Sequence, residues 1–502
     1  MARGAARPRR RDIAPIGYEE GGVAPPAAVG GAALLEGETD GFGADFTHAV
    51  DAERIAAKFS GVVMSYGVDA FYANSGTIPK LVWDGSALSW SPHNLFLNSE
   101  TPATQTVTTL SGETYTVIVT GSGSLTGSSA ASGVATQASP LTYVGGGTGT
   151  SIFTLAGSLT RIQINRGGVA TAYLATTAAR RHSVGIDYLP SIGKSAMLVE
   201  STGTNLGLWS SDFTQAAWVK TNLTAAKTAT GPEGWANGAS TLTATAANAT
   251  ALQAITSTSQ ARITSVFLKR RTGTGNVDVT QDNGTTWTTQ AITSSWARYA
   301  LPAVTSANPT VGIRIVTSGD AVDVAHLQHE QATNGVTSPY PSFATAGAKA
   351  ADNYSFLLSQ IPALGSEFSI YVRFSTPLPT GGRRVACVGD GTANEHAGFL
   401  VNTTVQLAVT DGGSAVGSIV GPAVTAFVPL SAAARFKLND LAMSVNGAAA
   451  GTDVTATLPA VTSMFHSVTG ASGAASQYFR IEKLVIVPRA WSNVELQAWS
   501  AS

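Results

Sequence analysis

A chain of 502 residues is too long for one hydrophobic core and implies about three or four domains. Charged residues are only 12% of it, against roughly 25% in ordinary soluble proteins, and the net charge is −1, which excludes a general electrostatic attraction to nucleic acid or acidic membranes. With 44% apolar residues the chain can build cores, and its single cysteine, Cys387, excludes an internal disulfide or a multi-cysteine metal site.

Low charge with abundant Thr, Val and Gly suits a β protein whose exposed sheet faces are rich in threonine. A long chain without disulfides points to assembly in a cytoplasm. The N-terminal MARGAARPRRRDIAPIGYEE has five arginines by Arg11 but no apolar stretch after them, so it does not read as a secretory signal. No uninterrupted apolar run reaches the length of a membrane span, and no membrane insertion is expected.

Residues 1–40 mix Arg, Pro, Gly and Ala without periodicity and read as an extended docking arm or a solvated tail. A short arginine cluster without aromatic partners is a weak signal for nucleic acid, and no specific nucleic-acid partner is expected. Residues 41–92 form a small attachment section. DFTHAVDAERIAAKFSG predicts one short helix with Ile55, Ala56 and Phe59 on one face, and IPKLVWDGSALSW predicts a hairpin turning at Asp84-Gly85. Trp83 and Trp90 flank that turn and are expected to pack on the module C-terminal to them.

Residues 93–200 and 201–356 look like two copies of one pattern, and repeats decide the architecture. Each opens on Asn-Leu-x-Leu, at Asn94 and at Asn205, and passes through short Thr/Val/Ile-rich runs. The first exits through Ala170-Thr171-Ala172-Tyr173 and the second through Val336-Thr337-Ser338-Pro339-Tyr340. In the first, YTVIVTG, SIFTLAG and LTRIQINRG are predicted as three strands, with SGSLTGSSAASG as a loop or weak strand. IDYLPSIGKSAMLVE joins the two modules and turns at Pro190 to Lys194. In the second, Asp282-Asn283-Gly284 is a turn. Alternation through AVDVAHLQHEQA puts Val322, Val324, His326, Gln328 and Glu330 on one face of a strand. Residues 357–502 contain five strong strand candidates, then a helix capped by Ser492 with Glu495 three residues on. Many short strands with closely spaced turns predict an all-β chain of tandem jelly-roll or β-sandwich domains behind an extended N-terminal arm.

The block NLGLWSSDFTQAAW, SSWARYAL and HLQHEQATNGVTSPYPSFATAGAKAADN resembles the carbohydrate-binding-module-like domain of phage head spike and tail fibre proteins. Trp296-Ala297-Arg298 and Gln328-His329-Glu330 occupy that family's Trp-x-Arg and Gln-x-Glu positions, while Ser338-Pro339-Tyr340 departs from its closing pattern. HNLFLNSE through AYLATT looks like a shorter relative without the Asp-Phe…Trp and Trp-x-Arg elements. The segment from FSIYVRF to VELQAW, with its Asn446-Gly447 turn, is similar to concanavalin A-like lectin or laminin-G-like jelly rolls. The resemblance implies a structural protein of a phage or gene transfer agent, made in the bacterial cytoplasm and acting outside the cell as part of the virion. It would attach to host surface polysaccharide, contact other virion proteins through the arm, and occur in several copies as a homo-oligomer. It also implies that Trp218 and Trp296 are core residues of the second module. A structural decoration or connector protein without glycan binding is the alternative.

No catalytic constellation emerges, and an enzyme is not expected. His326-Leu327-Gln328-His329-Glu330 resembles a shuffled metalloprotease motif, but that motif needs a helix, and on a strand the two histidines point to opposite faces. Asp278 with Asp282, or Asp320 with Asp323, are the nearest carboxylate pairs and sit beside turns, where Asp is common. No GxSxG elbow is present, and GGGTGTS lacks the lysine of a phosphate loop. No cofactor and no metal site is expected. For sugar binding the informative residues are tryptophans in polar loops, because an indole stacks on the C–H face of a pyranose while amides and carboxylates take its hydroxyls. Trp235 in GPEGWANG and Trp287 after the Asp282-Asn283-Gly284 turn are the candidates, with Asp282 and Asn283 as hydroxyl partners. Packing against a neighbouring subunit is the competing role for either ring.

Overall fold

The computed structural model describes residues 42–45, 63–64, 72–73, 81–83 and 87–501, apart from 147–148, 178–180, 183–184, 190–193, 332–334, 350–351, 353, 358–363, 378–381, 391, 393 and 466–477. The arm at 1–40, the helix expected after Asp45, the Asp84-Gly85 turn and, apart from Lys194, the Pro190 to Lys194 turn therefore lie outside the described residues. The fold is all-β: strands in almost wholly antiparallel sheets, with one described helix, Asn493–Ser500. No described helix is long and apolar enough to cross a membrane.

The C-terminal sandwich is discontinuous in sequence, which corrects the expected boundary at 357. One of its sheets runs Gly185–Leu189, Lys194–Val199, Phe479–Val487, Glu367–Ser375, Leu430–Lys437, Leu441–Val445 and Gly451–Asp453, and Phe42–Asp45 also pairs with Phe479–Val487. The facing sheet begins with Tyr72–Ala73 and Tyr354–Leu357. The segment expected to join the two modules thus supplies two strands of this sandwich, and Met197 and Val199 sit in its core beside Phe368, Phe399 and Phe436. GFLVNTTVQLAVTD and RFKLNDLAMSVNG each form two strands of a hairpin instead of one. The helix caps as expected: Glu495 N–H donates to Ser492 Oγ, and Ser492 N–H donates to Glu495 Oε2. It lays Leu496 and Trp499 on the outer face of the first sheet, with Trp499 stacked on Trp491 at 4.9 Å.

Both repeats are insertions into this sandwich, each entered and left through a two-stranded neck. His93–Asn94 pairs with Arg181–His182 for the first, and Gly203–Asn205 pairs with Gly347–Lys349 for the second. At the second neck the buried Glu200 carboxylate accepts from Ser338 N–H and Ser338 Oγ, both 2.6 Å, and pairs with Lys349 Nζ at 2.8 Å. Asp352 Oδ2 accepts from Glu200 N–H at 2.6 Å.

The repeat legible in the sequence is a hydrogen-bonded clamp present twice. Asn94 Nδ2 donates to the carbonyls of Ile162 and Leu174, and its Oδ1 accepts from Phe96 and Ile164 N–H. Asn205 does the same with Leu327, Tyr340, Gly207 and His329. Gln163 and Gln328 each accept a backbone N–H of the exit segment, from Leu174 and Tyr340 respectively. Thr171 and Thr337 occupy matching places, bonded through their N–H to Asn165 and to Glu330. The residue equivalent to Tyr340 is therefore Leu174, one position beyond the Tyr173 that the sequence pattern suggests.

The first module is one five-stranded sheet around its own core. SIFTLAG and LTRIQINRG are a single strand, Thr150–Arg166, paired along its length with Thr114–Ser129, which absorbs most of the expected loop SGSLTGSSAASG. Gly157, at φ 76, turns the strand without ending it, and a Cβ there would sit 2.7 Å from the Ser122 carbonyl oxygen.

The second module is a sandwich of a five-stranded and a six-stranded sheet. Phe213 and Trp218 stack at 4.1 Å in its core, as expected for Trp218. The alternation expected through AVDVAHLQHEQA fails at a bulge. His326 has φ 49, and the register slips between Ser265↔Gln328 and Phe267↔Ala325. Val322, Val324 and Leu327 consequently face the core, instead of Val322, Val324 and His326.

Candidate functional site

The second module's sandwich has two outer faces, and among the described residues the chain covers that of the six-stranded sheet. On the six-stranded sheet, Ala229, Ala239, Phe267 and Ala325 pack against Leu81 and Leu88 of the hairpin from residues 81–90, with Trp90 and Trp296 against the same cluster. Leu88 N–H donates to the Pro232 carbonyl across this seam. Trp296 is therefore a half-buried seam residue with Lys269 Nζ 5.7 Å from its ring centre, not the core residue that the resemblance implied. Trp235 lies on the same side. Its indole is half-buried over Gly168 of the first module, where an added Cβ would come within 2.8 Å of the ring. The missing side chain at Gly168 is what makes room for the ring.

The five-stranded sheet turns Val311, Ile313, Ile315, Val277, Val279, Ala249 and Ala251 into the core. Strict alternation then turns Thr310, Gly312, Arg314, Asp278, Thr280, Thr250 and Leu252 toward the outer face, where Gly312, Asp278 and Thr280 are buried and the other four are partly exposed. Strand pairing aligns them in two rows. Thr221, Thr250, Arg314, Asp278 and Thr289 lie side by side across all five strands, and Val219, Leu252, Gly312 and Thr280 form the next row. The first row is polar and on the order of 19 Å long, at about 4.8 Å per strand. The second carries apolar surface: Val219 is 65% exposed, and Leu252 folds over Gly312, where a side chain would strike the Ala251 carbonyl. Thr221 and Thr289 are exposed as well.

Trp287 stands at one end of this face. Its ring is half-buried, with the Arg314 guanidinium 4.5 Å from its centre. Arg314 donates from Nε and Nη2 to Asp278 Oδ2, at 2.9 and 2.7 Å, and Thr289 Oγ1 donates to Asp278 Oδ1 at 2.7 Å. The turn beside it takes the geometry expected of Asn-Gly, with φ 66 at Asn283 and φ 73 at Gly284. Asn283 is exposed, but its Oδ1 accepts Thr310 N–H at 2.5 Å and so pins the turn to the neighbouring strand. Burial raises the Asp282 carboxyl, but hydrogen bonds from Thr286 and Thr280 outweigh it and hold the group below the ordinary carboxylate range. Asp282, Asn283 and Trp287 are thus brought together, and Trp235 is held apart on the opposite sheet. Arg314, Thr250 and Leu252 were missed. Alternation in TVGIRI and ATALQA was the available signal for their outward direction, whereas the strand order that aligns them is not written locally.

The other candidates have structural partners. His326 Nε2 is 2.7 Å from Glu233 Oε1, and His329 Nδ1 is 2.8 Å from Thr264 Oγ1. Asp320 pairs with Arg270, and Asp323 with Arg271. Among the described residues no group of three or more His, Cys, Asp or Glu side chains is arranged to hold a metal ion.

No protein family and no curated protein matches the chain. Part of it is similar to solved structures. The carbohydrate-binding module CBM40 of the Ruminococcus gnavus IT-sialidase, bound to α2,3-sialyllactose, is 17% identical, with 27% of this chain and 83% of that one covered and a TM-score of 0.24. The receptor-binding domain of botulinum neurotoxin type G is 10% identical, over 29% of this chain and 39% of that one, with a TM-score of 0.23. The leech intramolecular trans-sialidase complexed with 2,7-anhydro-Neu5Ac is 15% identical, over 27% of this chain and 23% of that one, with a TM-score of 0.24.

Proposed function

We propose that this chain is an attachment protein of a phage or gene transfer particle, a head spike or tail fibre. In this reading it holds host surface polysaccharide on the open sheet face of its second module. The observation that carries the glycan part is the pairing of two rows on that face, one apolar at Val219 and Leu252 and one of fixed polar groups from Thr221 to Thr289, with Trp287 at the end. A sugar ring needs apolar contact for its C–H face and oriented donors and acceptors for its hydroxyls, and an open face along several strands suits a polymer better than a small molecule. Weak single sites suffice, since many copies on one particle multiply avidity. The virion part of the reading rests on the sequence resemblance, and it assigns residues 1–40 to docking on other virion proteins.

Binding of the purified full chain to an array of neutral and acidic bacterial polysaccharides tests the glycan reading. Retention on at least one polymer, competed by the free polymer, is expected. No retention on any of them rejects it. Deleting residues 1–40 is expected to leave the β domains folded and to abolish incorporation into particles, and normal occupancy would move the anchor elsewhere. One observation favours the connector alternative: Trp90, Trp235 and Trp296 are all spent on seams within the chain, as in a rigid spacer.

A further inference from the structure

Resting on the glycan reading, we infer that the polysaccharide is acidic and that Arg314 receives the carboxylate of a uronic or other acidic sugar. A free arginine samples many rotamers, and ordering it on binding costs entropy. Arg314 is already ordered from two sides: its guanidinium lies against the Trp287 indole, and its Nε and Nη2 are held by Asp278 Oδ2. Asp278 is in turn fixed by Thr289 and is 3% exposed. The Nε–Nη2 edge is thereby used. The remaining edge, made by Nη1 and the second N–H of Nη2, offers two parallel donors, the fork that matches a carboxylate.

Nη1 makes no hydrogen bond to a described residue, and the side chain is 28% exposed. The groups beside it in the row, Thr250 and Thr221, are hydroxyls that can serve a sugar ring without repelling an anion. Lys220 does not compete for the charge, because its Nζ already donates to the carbonyls of Phe213, Thr214 and Gln215. A neutral sugar leaves the guanidinium fork half used, so the geometry discriminates by charge as well as by shape.

The test uses the full chain and a panel of hyaluronan, alginate, polygalacturonate and polysialic acid, each also in carboxyl-reduced form, alongside neutral dextran, galactan and mannan. At least one acidic polymer is expected to bind, with affinity falling about tenfold or more on carboxyl reduction. Arg314→Gln is expected to remove that preference. Because it strands the buried Asp278 carboxylate, the double variant Arg314→Gln with Asp278→Asn is measured beside it, and whichever retains the wild-type urea midpoint is read. Equal affinity for acidic and reduced polymers, or binding of neutral polymers alone, overturns the inference while leaving glycan binding intact. An acid preference that survives in the folded variant also overturns it. Failure of every polymer in the panel overturns the glycan reading itself.

Discussion

Asn205 and Asn94 each hold three chain segments together with four hydrogen bonds, so a buried amide spends its full capacity on backbone. That is why Asn-Leu-x-Leu recurs in the sequence. His329 shows a different consequence of burial at the same place. Desolvation, and after it the Arg262 guanidinium, push its imidazole down from 6.5 to about 4. Above pH 6.5 neither folded nor unfolded chain binds this proton, and the contribution to stability is complete. Between 6.5 and about 4 the unfolded chain takes up a proton that the folded chain refuses, so stability falls toward acid by up to about 1.4 kcal/mol per pH unit. Urea midpoints at pH 7, 6 and 5 are expected to decline for the wild type and to decline less for His329→Gln. An identical slope in the variant would assign the acid sensitivity to other groups.

At the scale of single elements, burial separates two tryptophans that the sequence treats alike. Trp218 is stacked on Phe213 inside the sandwich, and Trp218→Ala is expected to cost about 3–5 kcal/mol. Trp296 sits half-exposed on the seam, and Trp296→Ala is expected to cost only about 1–2 kcal/mol. Denaturant unfolding of both variants checks the order, and equal losses would return Trp296 to the core. Strand content was legible here because alternation and turn residues are local signals, and the Asp282-Asn283-Gly284 turn and the Ser492 cap formed as read. What was not legible depends on contacts far along the chain. Nothing near His326 announces a left-handed residue in mid-strand, and nothing near Trp296 says that a hairpin more than a hundred residues earlier will cover it. The candidate site was half visible for the same reason. Trp287 and its turn stand out in sequence, whereas the row from Thr221 to Thr289 exists only once five distant strands are side by side.

For the molecule as a whole, the C-terminal sandwich is a hub into which two modules are inserted through two-stranded necks, so its sheets are completed by strands on both sides of each insertion. Residues 357–502 alone lack Met197, Val199 and the strands Lys194–Val199 and Tyr354–Leu357. That fragment is expected to remain unfolded by circular dichroism. Replacing residues 203–349 with a short Gly/Ser linker, together with Glu200→Gln because Ser338 and Lys349 leave with the module, is expected to leave the hub folded, since the paired neck strands bring the two ends of the insertion side by side. A cooperatively folded 357–502 fragment would contradict this division. The central functional claim is that polysaccharide is held on the open five-stranded face and not at the seam. It is tested most directly by measuring polysaccharide affinity and urea midpoint together for Trp287→Ala and Trp235→Ala in the full chain. Trp287→Ala is expected to lose binding while lowering the midpoint no more than Trp296→Ala does, and Trp235→Ala to keep binding while lowering the midpoint. Binding lost in Trp235→Ala and kept in Trp287→Ala would contradict it.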